Sequence, residues 1–325
     1  MRKTSPKRPL GRRILSRNKF FYACARALHL RAFGVYLSHM IKVLATDLDG
    51  TLFYPKSPIS LVNAKNKALL RDFISSGGRV ALVTSRAEAF LNKVKDKLQL
   101  PVDYIGCDGT VVNVDGTNVL DRVFDPAEAR SLIAEIRKEY DPGLILMATR
   151  EHPTIMTKTR VSNMTNFFYF VYEAVQGAYR EPWIRSDHLF YNELAKGEVR
   201  KLMVLIGITK KKQMLAEKIT ETLSNRYPNF EFTWLNQFIE ITPKGCSKAS
   251  GVSFYLDYLG ISHDNVLVVG DSGNDAPMFA AFHENSYCME HAKESVRQKA
   301  AHVIRRVSDL RPVLCPSVDS TPSDK

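Results

Sequence analysis

Short apolar runs that end abruptly in polar groups, alternating with stretches of helical spacing, constrain this chain more than any other feature. Val43-Leu44-Ala45 leads into Thr46-Asp47-Leu48-Asp49-Gly50-Thr51-Leu52, a buried strand closing on two aspartates one residue apart. Residues 60–76 then carry Leu61, Ala68, Leu69, Phe73 and Ile74 on one helical face, and Gly77-Gly78 stops the helix. Arg79–Val83 reads as a second strand, ending in Thr84-Ser85-Arg86, and a further helical pattern follows it. Tyr104-Ile105 makes a third strand, closing on Cys107-Asp108-Gly109. This rhythm predicts a doubly wound parallel α/β sheet. Ligands bind such sheets beyond the carboxyl ends of the strands, where this chain places its charges.

From about residue 122 the pattern changes. A helix opens at Asp125-Pro126, two paired strands are predicted at Leu144–Ala148 and Thr154–Lys158, and an aromatic-rich helix covers 163–178. A strand at Lys201–Ile206, a helix over 209–225 and a strand near Phe230–Trp234 complete an inserted α+β module, taken as residues 122–236. The parallel pattern is expected to resume at Phe238, so that residues 41–121 and 237–307 form the core. Asn265–Val269 is its most apolar strand and ends in Gly270-Asp271-Ser272-Gly273-Asn274-Asp275. The segment 308–325, with three prolines and four serines, reads as disordered.

Charge is unevenly spread. The net charge is +12, from 46 Lys and Arg against 34 Asp and Glu. Ten of the basic residues and none of the acidic ones lie in residues 1–40, which leaves 36 basic against 34 acidic residues beyond them. The near-neutral body argues against a nucleic-acid partner. The leader suits a transit peptide, a membrane-surface helix or a disordered tail, and Met40 would also make a natural start. The expected location is cytoplasmic, or an organelle if the leader is a targeting signal. No stretch has the ~18 uninterrupted apolar residues of a membrane span. The five cysteines are widely spaced without a CxxC, which fits a reducing compartment and no zinc site.

Three strand ends thus carry Asp47 and Asp49, Thr84 and Ser85, and Asp271, Asn274 and Asp275, with Lys248 opening a helix before the last group. Clustered carboxylates repel one another unless a cation neutralises them. Oxygen ligands without His or Cys suit Mg²⁺, and hydroxyls with a lysine suit the remaining oxygens of a phosphoryl group. The inventory points to Mg²⁺-dependent phosphoryl chemistry.

The motifs DLDGTL (47–52), LVTSR (82–86), Lys248 and GDSGND (270–275) resemble those of the haloacid dehalogenase-like phosphohydrolases, within them the Cof-type hydrolases with a larger α+β cap. The resemblance covers about residues 41–305. It implies that Asp47 is the nucleophile forming an aspartyl-phosphate, and that Asp49 protonates the leaving oxygen and then activates water. It also implies that Asp47, the Asp49 carbonyl and Asp271 hold Mg²⁺, with Thr51, Asn274 and Asp275 in support. Thr84 and Ser85 would bind phosphoryl oxygens, Arg86 would touch substrate or stay solvated, and Lys248, favoured over Lys244, would neutralise the phosphate. The expected substrate is a small phosphorylated metabolite such as a sugar phosphate. A phosphomutase on the same fold is the first alternative, and a non-catalytic RNA- or membrane-binding protein acting through the leader is the second. Arg150, His152, Lys158 and Arg160 are cap candidates for recognising substrate, while Asp108 reads as a turn residue.

Overall fold

The parallel sheet is built from strands whose alternate residues face two separate apolar layers. In the computed structural model, which describes residues 40–57, 60–157, 159, 171, 179–207, 209–235 and 238–316, Val43–Asp47 forms β1. The chain continues through α1 (Ala64–Ser75), β2 (Arg79–Val83), α2 (Glu88–Leu98) and β3 (Asp103–Gly106). Leu44, Val80 and Leu82 pack on one side of the sheet, while Val43, Ala45, Ala81 and Val83 pack on the other. That is the two-residue period of a strand covered on both faces.

A hairpin not foreseen in the sequence follows: β4 (Val111–Val114) and β5 (Thr117–Asp121), joined at Asp115-Gly116 and paired antiparallel to the edge of β3. Then comes the inserted module, with α3 (Pro126–Glu139), β6 (Leu144–Thr149), β7 (Thr154–Thr157), β8 (Trp183–Arg185), α4 (Asp187–Lys196), β9 (Val199–Leu205), α5 (Lys210–Arg226) and β10 (Phe230–Leu235). Asp125 caps α3 by accepting from the amides of Ala127 and Glu128, with Pro126 in the first turn. The predicted helix over 163–178 falls on residues outside those described, Val171 excepted, and so does the basic leader apart from Met40.

One strand lies elsewhere than expected. Phe238–Pro243 (β11) does not resume the parallel sheet. It pairs antiparallel with β10 and β9, inside a second sheet ordered β10-β11-β9-β6-β7-β8. Ile239 and Ile241 face the helices of this module, whereas Glu240 and Thr242, which alternate with them, face the other way. The boundary at residue 237 therefore divides a sheet that runs on to Pro243.

The chain returns to the first sheet through α6 (Lys248–Leu259), β12 (Val266–Gly270), α7 (Ala276–Ala281), β13 (Ser286–Met289), α8 (Glu294–Arg297) and β14 (His302–Ile304), and closes on α9 (Arg311–Leu314). The strand order is β14-β13-β12-β1-β2-β3-β4-β5, parallel from β14 to β3. The segment from Ser308 was expected to be disordered, but its described part is helical through Leu314. Val307, Leu310 and Leu314 are buried, and the Ser308 amide donates to Asn66 Oδ1 at 3.0 Å. Their spacing of three and four places them on one side of a turn of helix, a local pattern that the proline and serine content hides. The fold is a mixed α/β Rossmann-like core with an inserted α+β cap. Among the described residues, no helix is long and apolar enough to cross a membrane.

Candidate active site

β1 sits between β2 and β12 at the centre of the first sheet, and chain connections leave it in opposite directions. This is the switch point at which a crevice opens beyond the strand ends of a doubly wound sheet. Asp47 ends β1 and Asp271 follows β12, so the two carboxylates flank that crevice. Gly50 permits their approach. Its φ is 80°, and a Cβ there would lie 2.3 Å from Asp271 Oδ2. Thr51, buried in the same turn, donates its hydroxyl to Asp271 Oδ1 at 3.1 Å.

Lys248 begins α6, capped by Ser247, and is 2% exposed. Its ammonium donates at 2.7 Å to both Asp47 Oδ1 and Asp275 Oδ1. Lys244, its competitor in the sequence, is an exposed residue paired with Glu231. Asp275 Oδ2 accepts from the amides of Asp271 and Ser272 and from the Ser272 hydroxyl, which ties the loop after β12 into a closed turn. Burial lifts Asp47 well above the usual carboxylate range although Lys248 pulls the other way, and the charges of Asp275 and Asp271 add to the rise. Asp271 is pushed up to about 6 by burial and by Asp275. For Lys248, burial opposes the charge, yet Asp275 and Asp47 together hold it well above its ordinary value.

Asp47 Oδ2 is buried and accepts no hydrogen bond among the described residues. One oxygen from each of Asp47, Asp271 and Asp275 falls within 4.8 Å of the others. Three carboxylates with a single ammonium leave negative charge in surplus, and the donors are all hard oxygens. This set fits a small divalent cation such as Mg²⁺.

The other expected residues are arranged less simply. Thr84 is buried at the end of β2, where its hydroxyl accepts from the Arg86 amide at 3.2 Å; the N-cap of α2 is Ala87. Arg86 faces Asp49, with Nε and Nη2 donating to its two oxygens at 2.6 and 2.8 Å. The guanidinium also donates to the Tyr179 carbonyl and lies over the Phe90 ring. Both Asp49 side-chain oxygens are therefore held by Arg86. Asn274 accepts from the Ser272 hydroxyl and donates to Asp108 Oδ1. Of the cap candidates, Arg150 pairs with Asp121 and Glu198, and His152 approaches Glu193; Lys158 and Arg160 lie outside the described residues.

Four ionisable residues near the site, Asp108, Lys201, Glu240 and His291, were not singled out in the sequence as functional. Asp108, 7% exposed, meets the fully buried Lys201 of β9 at 2.5 Å, and Lys201 also donates to Glu240 at 2.9 Å and to the Ser85 carbonyl at 3.3 Å. The signal available was alternation: Lys201 and Glu240 interrupt apolar strands, which normally marks a solvated face. Here that face is covered by the first sheet. His291, at the loop after β13, approaches Asp271 Oδ2 at 3.7 Å and stacks on Tyr54.

Several proteins are similar to this chain in sequence or in fold. A chloroplast endoribonuclease YBEY from Arabidopsis thaliana is 23% identical over 71% of this chain, but the match spans only 38% of that protein's length. The 5-amino-6-(5-phospho-D-ribitylamino)uracil phosphatase YwtE of Bacillus subtilis is 24% identical over 82% of this chain and 93% of its own. Among solved structures, a haloalkanoate-superfamily phosphatase from Bacteroides thetaiotaomicron superposes with a TM-score of 0.65 at 24% identity, covering 84% of this chain and 92% of that one. A family model for haloacid dehalogenase-like hydrolases matches residues 44–313, and the chain belongs to that family.

Proposed function

We propose that the protein is a Mg²⁺-dependent phosphatase that hydrolyses a small phosphomonoester through an aspartyl-phosphate on Asp47. The observation that carries this reading is the buried Asp47 carboxylate at the switch point of the sheet, one oxygen held by Lys248 and the other without a partner among the described residues. The phosphatase names of the Bacillus and Bacteroides relatives support it.

Asp47 and Asp271, with the Asp49 carbonyl, would hold the cation, which when bound would offset the carboxylate charge and draw electron density from a phosphoryl oxygen. Asp275 has both oxygens committed to Lys248 and to the loop, so it fixes the lysine and the turn rather than adding a ligand. In the first half-reaction an Asp47 oxygen attacks phosphorus, the ester P–O bond breaks, and the leaving oxygen takes a proton from Asp49. In the second, Asp49 takes a proton from water as that water attacks phosphorus. Inorganic phosphate leaves and the Asp47 carboxylate is restored. Thr84 and the Ser85 amide would receive phosphoryl oxygens, and Lys248 would balance the charge that builds on them. Arg86 acts on this scheme through Asp49, whose two oxygens it holds.

The test is phosphate release across a panel of phosphorylated metabolites and p-nitrophenyl phosphate. Turnover is expected with Mg²⁺, is lost with EDTA, and is lost in Asp47→Asn. Wild-type turnover in Asp47→Asn, or no release from any ester, would sink the reading.

A further inference from the structure

The loop Thr84-Ser85-Arg86, the expected phosphoryl cradle, has each of its carbonyls held. The Thr84 carbonyl accepts from the Asp108 amide at 3.2 Å, and the Ser85 carbonyl accepts from the Lys201 ammonium at 3.3 Å. The Arg86 carbonyl accepts from the Cys107 amide at 3.2 Å and from the Tyr104 hydroxyl at 2.9 Å. In a planar trans peptide the carbonyl and the N–H point opposite ways. Holding the Thr84 carbonyl therefore aims the Ser85 amide, the expected phosphoryl donor, away from Asp108. Holding the Ser85 carbonyl fixes the next peptide plane in the same way. Of these supports, Lys201 is the one that comes from the cap.

Lys201 reaches the core through an irregularity in β9. Ala148 of β6 pairs with Lys201 and Thr149 pairs with Val199, so Arg200 is the extra residue of a bulge. Val199 and Leu202 both pack among the cap helices, which leaves the two residues between them facing the core. Arg200 is 1% exposed and Lys201 0%. Arg200 bonds Asp121 of β5 through Nε and Nη2 at 2.8 and 2.9 Å, and Glu88 in the first turn of α2 through Nη1 at 2.9 Å. Lys201 matches its three hydrogens to Asp108, Glu240 and the Ser85 carbonyl. The cap is thus tied to the loop at Ser85 and to the helix after it at Glu88.

Asp108 extends the reach of Lys201. Its Oδ1 accepts from Asn274 at 3.3 Å in the loop after β12. Beside it Gly109 has φ of 86°, and a Cβ there would strike the carbonyl of Ser247, which caps the helix that begins with Lys248. Cys107 and Asp108 have φ of 47° and 55°. Consecutive left-handed residues cost conformational energy and persist where their surroundings hold them. The bond from Lys201 to Asp108 is one such hold.

We propose that Lys201 is a positioning residue lent by the cap to the phosphoryl-binding loop. It fixes the Ser85–Arg86 peptide directly and the Thr84–Ser85 peptide through Asp108, so the loop is set for a phosphoryl group while the cap is seated. The inference rests on the phosphatase reading for what the loop binds, and its test separates the two.

The variant that tests it is Lys201→Met/Glu240→Gln, which removes one cation and one carboxylate and so keeps the net charge beside the loop. Glu240→Gln alone is its control. Measurements are made at about pH 8, above the value of about 7 to which Glu240 is lifted, so that the carboxylate removed is a charged one. They are the dissociation constants of Mg²⁺ and, with Mg²⁺ present, of inorganic phosphate, both by titration calorimetry, and kcat/KM for p-nitrophenyl phosphate. Misplacing a binding group by about 1 Å can cost ~100-fold. The double variant is expected to bind phosphate at least ~10-fold more weakly and to lose at least ~10-fold in kcat/KM, with Mg²⁺ binding within ~3-fold of wild type. The control is expected to stay within ~3-fold of wild type in all three. Should the double variant be insoluble, Lys201→Arg, which keeps the charge but exchanges the compact ammonium for a planar fork, takes the same comparison.

Phosphate affinity and kcat/KM close to wild type in the double variant overturn the proposal. So does an equal loss of Mg²⁺ and phosphate binding, the mark of a residue that only supports the fold, and so does a control that loses as much as the double variant. Hydrolysis by wild type reports the phosphatase reading separately: if it is present while the variants match wild type, only the positioning role fails. Phosphate binding without hydrolysis sinks the phosphatase reading and leaves the phosphate titrations to decide the positioning role. If wild type neither binds phosphate nor hydrolyses the ester, both readings fail.

Discussion

Lys248 holds two buried carboxylates with one ammonium, and its removal leaves both without their cation. Breaking a buried pair by deleting one partner costs about 3–5 kcal/mol. Lys248→Met is therefore expected to lower unfolding free energy by about that amount in metal-free urea titrations, and to reduce kcat at least ~100-fold. Stability and turnover close to wild type would show that the lysine is dispensable. Lys248 could be picked out from its helix start and, through the family resemblance, from its Gly-x-x spacing. Asp108 could not, because Asp-Gly is ordinary turn chemistry and its partner Lys201 is 93 residues away. Arg86 was legible as a residue near the phosphoryl loop, but its bond to Asp49 depends on how two turns meet, which no local spacing encodes.

At the scale of elements, strands buried in the parallel sheet read as continuous apolar runs, and this made β1, β2 and β12 legible. Within Phe238–Pro243 the pattern differs, with apolar and polar residues alternating from Ile239 to Thr242, as in an antiparallel strand with two unlike faces. Position after the insertion suggested the wrong sheet, while periodicity carried the better signal. The β4–β5 hairpin had its signal too, Asp115-Gly116 flanked by strand residues. What neither pattern revealed is that the polar face of the cap sheet is buried against the core, so that Lys201 and Glu240 meet Asp108 there. Burial lifts Glu240 from 4.5 to about 7 although Lys201 opposes it. Between those values the folded chain holds a proton that the unfolded chain releases, so this group lowers stability as pH rises through that window. Glu240→Gln is expected to show a shallower decline in urea midpoint than wild type from about pH 5 to 7, and an identical pH profile would contradict the assignment. Asp108 works in the opposite sense. Despite burial, Lys201 and Lys248 hold it below 3.8, so its contribution is present above that value and fades as pH falls.

The whole molecule brings residues far apart in sequence to one crevice: Asp47 and Lys248 are 201 residues apart and in contact. The frame of the candidate site was readable because a doubly wound sheet gathers its strand ends on one edge, whatever is inserted between them. The cluster of Lys201, Asp108 and Glu240 was not, because it forms only where the second sheet meets the first. The proposed mechanism requires Asp47 to become covalently phosphorylated. Its most direct test is acid quenching of the protein during turnover of p-nitrophenyl phosphate with Mg²⁺, followed by peptide mass spectrometry. A single phosphoryl group on the peptide containing Asp47, absent from Asp47→Asn, is the predicted result. Turnover with the phosphoryl group on another residue, or undiminished turnover by Asp47→Asn, would contradict it.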